Sequence, residues 1–512
     1  MQSADEIYDL LGVGFGPANV AIAGAVVEAW QTNAPCAIKR ALFLEQRPTF
    51  QWHPGMLLPG ARMQISFLKD LATLGSPRSP ITFLSYLHSQ DRLINFINRG
   101  DMIPTRREFA DYLSWAAGYV EEQGVNVSYN SEVVGIDQGP DGIVSVTYKH
   151  ATSGELSTRR TRNLVISPGG TGKVPHPFSA VSHPLMIHSA SYLMSIDSIF
   201  SAITAKGRPH LRLAVIGGGQ SAAEVALNLR DRLSNVPTTD GPHEIDIIIR
   251  KGALRPSDDT GFANEVFDPA STDAWYTIAS PAARLARVRE YKSTNYSVVN
   301  PLTLATLYEI AYAQKVDSDI ARRTKATISQ STPLIHIRPY SDVISVEAPT
   351  QEADDFVFNI QNPLSREINM EKYDAVFTAT GYQRTAWIDL LKHSTVGKAF
   401  NLSPECQAET CRLAPEHESD DVIPVSYDTP LSISSSVSNT PPTSPSLSMT
   451  LERPHKLRIT RGYRLLPSEE NTSLKSRVYL QGMEEATHGL SDTLLSVLGI
   501  RAKEVLADLN KD

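Results

Sequence analysis

Short apolar runs alternate with helical spacing along this chain, and the order of the two sets its frame. Residues 7–11 form the first apolar run, which passes into Gly12-Val13-Gly14-Phe15-Gly16-Pro17-Ala18-Asn19. Helical spacing then predicts a helix through Val20 to Glu28, reaching Trp30, and residues 37–44 form a second strand ending at Glu45. Strand, Gly-rich turn, helix and strand open a doubly wound sheet. The same order returns later: strand 213–216, Gly217-Gly218-Gly219-Gln220-Ser221-Ala222-Ala223-Glu224, a helix to Leu233, and strand 244–249 ending at Arg250-Lys251.

Between these units, residues 51–80 are rich in turn formers yet keep Trp52, His53, Met63, Phe67 and Leu68. A loop that holds large side chains has something to line. An amphipathic helix is predicted over 107–123, and mostly helical spacing over 258–314. Strand signals return over 334–360, residues 373–382 close the second unit, and a strand at 477–481 precedes a helix beginning near Leu490. The predicted fold is α/β with two Rossmann-like dinucleotide-binding domains. Residues 1–175 and 376–512 make the first, 176–262 and 316–375 the second, and 263–315 a small helical insertion. Ser, Pro, Thr and Asp dominate 416–454, so that stretch is predicted as a disordered insertion.

A chain of 512 residues exceeds one core. Its net charge of -8 argues against nucleic acid as the main partner. The three cysteines, Cys36, Cys406 and Cys411, form no C-x-x-C pair, which excludes a dithiol relay. The beginning lacks a basic leader and no apolar run has membrane-spanning length, so a cytoplasmic protein is expected. There is no H-E-x-x-H, Cys/His cluster or G-x-S-x-G, and no metal site is expected.

The candidate chemistry lies in the loops. Gly12, Gly14 and Gly16 let the backbone approach a pyrophosphate at a helix N-terminus. Glu45, at the end of the following strand, would accept hydrogen bonds from an adenosine ribose, and this unit reads as an FAD site. Gly217 and Gly219 repeat the arrangement, but their second strand ends in Arg250 rather than a carboxylate. A guanidinium binds a 2′-phosphate through a charge-assisted fork, which predicts NADPH over NADH.

With these loops, the ordered blocks Phe50–Gly55, Met63–Ser79, Pro256–Pro269, Lys292–Asn300, Ala379–Tyr382 and Thr487–Leu498 resemble the N-hydroxylating flavin monooxygenases of siderophore biosynthesis, specifically the L-ornithine N5-monooxygenases. His188-Ser189-x-x-Tyr192 is similar to that family's linker. The resemblance implies that NADPH reduces FAD, that molecular oxygen adds at flavin C4a to give a hydroperoxide, and that the side-chain amine of L-ornithine attacks it. No protein nucleophile is implied, since the cofactor carries the chemistry. It further implies that Trp52, His53, Met63, Gln64 and Arg106 surround the flavin, with Arg106 toward the adenosine. Lys69 would pair with the substrate carboxylate, and Asn264 and Asn295 would hold the amino acid. Asn264 would also touch the nicotinamide ribose, while Gln220, Ser221 and Arg250 hold NADPH. Ser491 or Ser496 would approach the substrate amine, and a homotetramer is implied. The same chemistry on L-lysine differs by one methylene, and a catalytically inactive flavin-binding redox sensor is the alternative of another class.

Overall fold

A computed structural model describes residues 6–325, 332–351, 354–419, 455–468 and 473–511. The first sheet has five parallel strands in the order Arg477–Leu480, Asn163–Ile166, Leu10–Val13, Ala41–Leu44 and Asn126–Ser128. Three of them, Leu10–Val13, Ala41–Leu44 and Asn163–Ile166, are buried at every position, because both faces of the sheet are covered. Gly12 lies at the centre, where an added Cβ would fall 2.2 Å from Cδ1 of Phe43. Helix Pro17–Thr32 follows, with Pro17 at its first position, where a missing N–H costs nothing. It is buried on almost every side because helices Arg106–Glu122 and Leu498–Leu509 both pack on it. The last helix of the chain therefore closes onto the first loop.

The second sheet is also five-stranded and parallel, ordered Met186–His188, Ala375–Thr378, Arg212–Ile216, Glu244–Ile248 and Leu334–Arg338. Helix Gln220–Leu233 buries Ala222, Ala223, Val225, Ala226, Leu229 and Leu233 against it. Helices Gly261–Asn264, Ser271–Thr277, Pro281–Asn295 and Pro301–Thr324 lie in the chain between strands Glu244–Ile248 and Leu334–Arg338. Each unit also carries a small sheet: three antiparallel strands within residues 131–161 in the first, with Ile7–Tyr8 added parallel at the edge, and three antiparallel strands within residues 342–373 in the second. The molecule is α/β with two doubly wound units.

Several boundaries differ from the sequence expectation, each for a local reason. The first strand divides, Ile7–Tyr8 pairing parallel with the edge of the small sheet and Leu10–Val13 joining the five-stranded one. The second strand begins at Ala41 rather than 37, because the amides of Lys39 and Arg40 donate to the Asp9 carboxylate instead of a neighbouring strand. Strand Ala375–Thr378 belongs whole to the second sheet, so the return to the first unit comes after Thr378 and not at 376. Helix Pro301–Thr324 runs through the expected boundary at 315. Two 3-10 turns, Leu490–Thr493 and Leu495–Val497, replace the helix expected near Leu490, and the helix proper begins at Leu498. The expected disordered insertion begins too early. Glu418 is fully buried and accepts from Arg284 and Arg412, so residues 416–419 are ordered. The remainder, 420–454, lies outside the described residues.

Candidate active site

Both Gly loops end at the open N-terminus of a helix. Gly14 has φ +80°, and a Cβ there would fall 2.6 Å from the Ser167 carbonyl oxygen, so only glycine fits. Gly16 caps helix Pro17–Thr32 with nothing within 4 Å of its would-be Cβ, which leaves the helix N-terminus open to an anion. Buried Asn19 donates to the Gly14 carbonyl at 2.6 Å and fixes the turn from within. Glu45 stands beside it, its two oxygens accepting from the amides of Phe15 at 2.8 Å and Arg47 at 3.0 Å. The carboxylate is therefore oriented over the loop that a ribose would approach.

In the second loop Gly217 has φ +136°, and a Cβ would fall 2.3 Å from the Ala379 carbonyl. Gly219 caps helix Gln220–Leu233 and faces Ser297. Gln220 accepts from the Asn300 amide at 2.7 Å and donates to Glu224 at 2.8 Å, tying the loop to the helical insertion. At the end of strand Glu244–Ile248, Arg250 is exposed. It forms a cationic cluster with Lys251 and Arg255: partial burial, then repulsion from Arg255 and Arg250, pushes the Lys251 ammonium below its usual range. Among the described residues no carboxylate pairs with any of the three. The sequence reading missed Arg255, which lies beyond the strand end where such a residue is sought.

Between the units lies a cavity of about 330 Å³, and most of the predicted residues meet in it. Trp52, Met63, Gln64, Lys69 and Arg106 come from the first unit, Gln220 and Ser221 from the second Gly loop, Asn264 and Asn295 from the helical insertion, and Ser496 from the C-terminal turns. Ser491, although buried, does not line it. Asp259, Phe267, Leu494 and Leu495 line the cavity too. Asp259 and Phe267 belong to the Pro256–Pro269 block, which was the available signal for them.

Lys69 is half-buried, and among the described residues no carboxylate lies within ion-pair distance of its ammonium. The turn that presents it is held by neighbouring Asp70. That buried carboxylate accepts from the amides of Ala72, Thr73 and Phe83 and from the Thr73 hydroxyl. Asn264 ends helix Gly261–Asn264, and its Nδ2 donates to the carbonyls of Asp259 and Thr260, both at 3.1 Å. Asn295 ends helix Pro281–Asn295. The next residue, Tyr296, anchors this corner through its hydroxyl, 3.1 Å from Glu485 and 3.2 Å from Thr493. Ser496 is buried and its Oγ has no hydrogen-bond partner.

Arg106 lines the cavity and is held by the second unit. It forks onto Glu224 of the second unit at 2.7 and 2.9 Å and also donates to the Met56 carbonyl at 3.2 Å. A cation at the first position of a helix is opposed by the dipole, and Glu224 offsets that cost. His53 is exposed to the cleft, in a left-handed conformation with φ 44°, between Trp52 and Tyr382. The protein wall around the ring, then the guanidinium groups of Arg384, Arg106 and Arg47, pushes its pKa down to about 4. The imidazole is neutral at physiological pH.

Two Gly loops at helix N-termini on separate parallel sheets, with a small cavity between the units that carry them, define a two-dinucleotide oxidoreductase. Residues 6–384 match the L-lysine 6-monooxygenase/L-ornithine 5-monooxygenase family, and the chain belongs to that family. The L-ornithine N(5)-monooxygenase of Coprinopsis cinerea is 47% identical over 549 residues, covering 99% of this chain and 98% of that protein. Among solved structures, the ornithine hydroxylase PvdA of Pseudomonas aeruginosa has a TM-score of 0.75 at 34% identity over 99% of both chains. The Kutzneria sp. 744 ornithine N-hydroxylase KtzI, with reduced FAD, NADP+ and L-ornithine, has a TM-score of 0.72 at 30% identity over 98% of this chain and 99% of that one.

Proposed function

We propose that this chain binds FAD at the first Gly loop and NADPH at the second, and hydroxylates the N5 amine of L-ornithine in the cavity between them. One observation carries the proposal: an unpaired lysine projects into a cavity bounded by elements of both nucleotide units. The reduced flavin supplies oxygen activation, so that one atom of O2 reaches nitrogen and the other leaves as water while NADPH becomes NADP+.

The residues divide the remaining work. Gly14, Gly16 and the N-terminus of helix Pro17–Thr32 receive the FAD pyrophosphate, and Glu45 its ribose. Trp52, His53, Met63 and Gln64 wall the flavin and restrict water. Gly217, Gly219 and Ser221 receive NADPH, and Arg250 with Lys251 and Arg255 its 2′-phosphate. Lys69 pairs with the ornithine carboxylate, while Asn264 and Asn295 hold the amino-acid end. Ser496, whose Oγ is buried without a partner, is the serine assigned to the side-chain amine. A hydroxyl can accept one N–H and leave the nitrogen lone pair free to attack.

The family includes lysine hydroxylases, and one methylene shifts binding by only about 1–3 kcal/mol. Ornithine is favoured because the full-length relatives at 47% and 35% identity are both ornithine enzymes. The product N5-hydroxyornithine suits assembly into hydroxamate iron chelators, and cytoplasmic work is proposed from the unpaired cysteines. No helix among the described residues is long and apolar enough to cross a membrane. The test is NADPH oxidation by the flavin-loaded protein with each amino acid supplied in turn, scored by hydroxylamine formed. Ornithine should give product at a higher kcat/KM than lysine; product from lysine alone would overturn the substrate assignment.

A further inference from the structure

The turns that carry Ser496 are tied together at one buried carboxylate. Asp492 lies in the 3-10 turn Leu490–Thr493, just before Ser496 in the chain. Arg501, on helix Leu498–Leu509, donates to the Asp492 carbonyl and to its Oδ1 at 3.4 Å. On the other side, Asp492 Oδ2 accepts from the Glu484 amide at 3.0 Å. The chain from 492 to 501 is thereby closed into a loop, and Leu494, Leu495 and Ser496 at its tip line the cavity. Its far end rests on the turn that follows Lys69. A Cβ on Gly75 would fall 2.4 Å from the Gly499 carbonyl oxygen, and one on Gly499 would fall 3.0 Å from the Ala72 carbonyl carbon. Loosening the loop at Asp492 would therefore shift Ser496 relative to Lys69.

Charge does not balance around Asp492 if its neighbouring acid is also ionised. The Glu484 carboxyl is fully buried and faces it. The other groups around the pair are the Arg501 guanidinium, the His488 ring and the Tyr463 hydroxyl, all buried. His488 is neutral, and burial keeps Tyr463 protonated, which leaves Arg501 as the cation facing both acids. Two carboxylates in contact inside a protein do not both ionise. Burial, then the charge of Asp492, pushes Glu484 well above the ordinary carboxylate range. Burial opposes ionisation of Asp492 too, but the Arg501 charge and the hydrogen bond with Glu484 outweigh it and hold Asp492 below that range. Glu484 Oε2 accepts from the Met483 amide at 2.9 Å, whereas Oε1 receives no donor among the described residues. A buried oxygen that accepts nothing, beside an ionised acceptor, is the place for a hydroxyl. We propose that one proton is held between Glu484 and Asp492, and that this pair positions Ser496 for the side-chain amine of the substrate. The inference rests on the assignment of Ser496 to that amine.

The test uses the full, flavin-loaded chain, with bound-flavin absorbance showing that each variant is folded. Glu484→Leu removes the proton donor, and Asp492→Asn removes the charge that Arg501 faces. Each should raise the ornithine KM by about tenfold or more and lower the hydroxylamine formed per NADPH oxidised. Flavin reduction by NADPH without ornithine should keep its rate. Glu484→Gln, whose amide donates in place of the hydroxyl, should restore most of what Glu484→Leu loses. In the infrared, wild type at neutral pH should show a protonated-carboxyl stretch that is absent from Glu484→Gln. Three outcomes overturn the proposal: a lowered thermal midpoint with KM and product yield unchanged, Glu484→Gln no better than Glu484→Leu, or no such stretch. If Glu484→Leu and Asp492→Asn do not hold flavin, the infrared comparison decides. Ser496→Ala should show the same rise in KM. An unaffected Ser496→Ala would refute the serine assignment itself, whereas an impaired Ser496→Ala beside an intact Asp492→Asn would refute only the role of the acid pair.

Discussion

Replacing Lys69 by Met removes the ammonium and keeps most of the apolar stem, so packing and charge are separated. Two unit charges 4 Å apart interact by about 1 kcal/mol in water and about 4 kcal/mol at an effective dielectric of 20. Lys69 is half-buried in a cavity of about 330 Å³, so its interaction with a bound carboxylate falls between these limits. Desolvation of both charges offsets part of the gain, and a charge-assisted hydrogen bond nets about 1.5–3 kcal/mol. No competing carboxylate has to be displaced. Taking about 2 kcal/mol, the ornithine KM should rise about 30-fold. Flavin reduction by NADPH, followed anaerobically without ornithine, should be unchanged, because Lys69 serves the substrate and not the nicotinamide. Lys69→Ala should lose somewhat more through packing. A KM change below about threefold, under 0.7 kcal/mol, would remove Lys69 from the substrate site. Slowed flavin reduction would place it at the nicotinamide instead.

The remaining predictions concern the second nucleotide site, the junction of the units and the buried C-terminal histidine. Arg250→Ala should narrow the preference for NADPH over NADH by about tenfold or more in kcat/KM; an unchanged ratio would move the 2′-phosphate elsewhere. Glu224→Gln leaves Arg106 partly buried without its fork. The side chains are 16% and 9% exposed, so the loss should be about 2 kcal/mol, below the 3–5 kcal/mol of a fully buried pair, read as a lower thermal midpoint; an unchanged midpoint would show that the fork is only incidental. His488 is fully buried, and burial pushes its pKa down to about 4 from an ordinary 6.5. Since the unfolded chain then binds its proton first, stability contributed by the neutral ring is present above about pH 6.5 and is lost as pH falls toward 4, by up to about 3 kcal/mol. Unfolding compared at both pH values should show less acid sensitivity in His488→Gln than in wild type, and equal sensitivity would reject the argument.

The parts legible in the sequence are those whose cause is local. Gly14 and Gly217 had to be glycine because the turn itself demands positive φ beside a passing carbonyl, and both loops stand where they were read. The strand start at 37 was misplaced because the competing acceptor, Asp9, comes from another strand's flank. The Arg106–Glu224 fork joins residues 118 apart, and no periodicity carries that information. Glu418 was read as disordered from its Ser- and Pro-rich neighbourhood, yet Arg284, 134 residues away, supplies the partner that makes its burial affordable. The choice between Ser491 and Ser496 turns on which side of two short 3-10 turns faces the cavity, a matter of chain path that residue type does not encode. Lys69, Asn264 and Asn295 were found through the order of motif blocks, because each alone is an ordinary surface lysine or turn asparagine.

Most directly, the central claim is tested by the fate of dioxygen. Flavin-loaded protein is supplied with NADPH, L-ornithine and heavy-isotope O2, and the amino acid is examined by mass spectrometry. The account predicts N5-hydroxyornithine carrying one heavy oxygen, with none acquired from water. Unmodified ornithine with all NADPH oxidation recovered as hydrogen peroxide would contradict it.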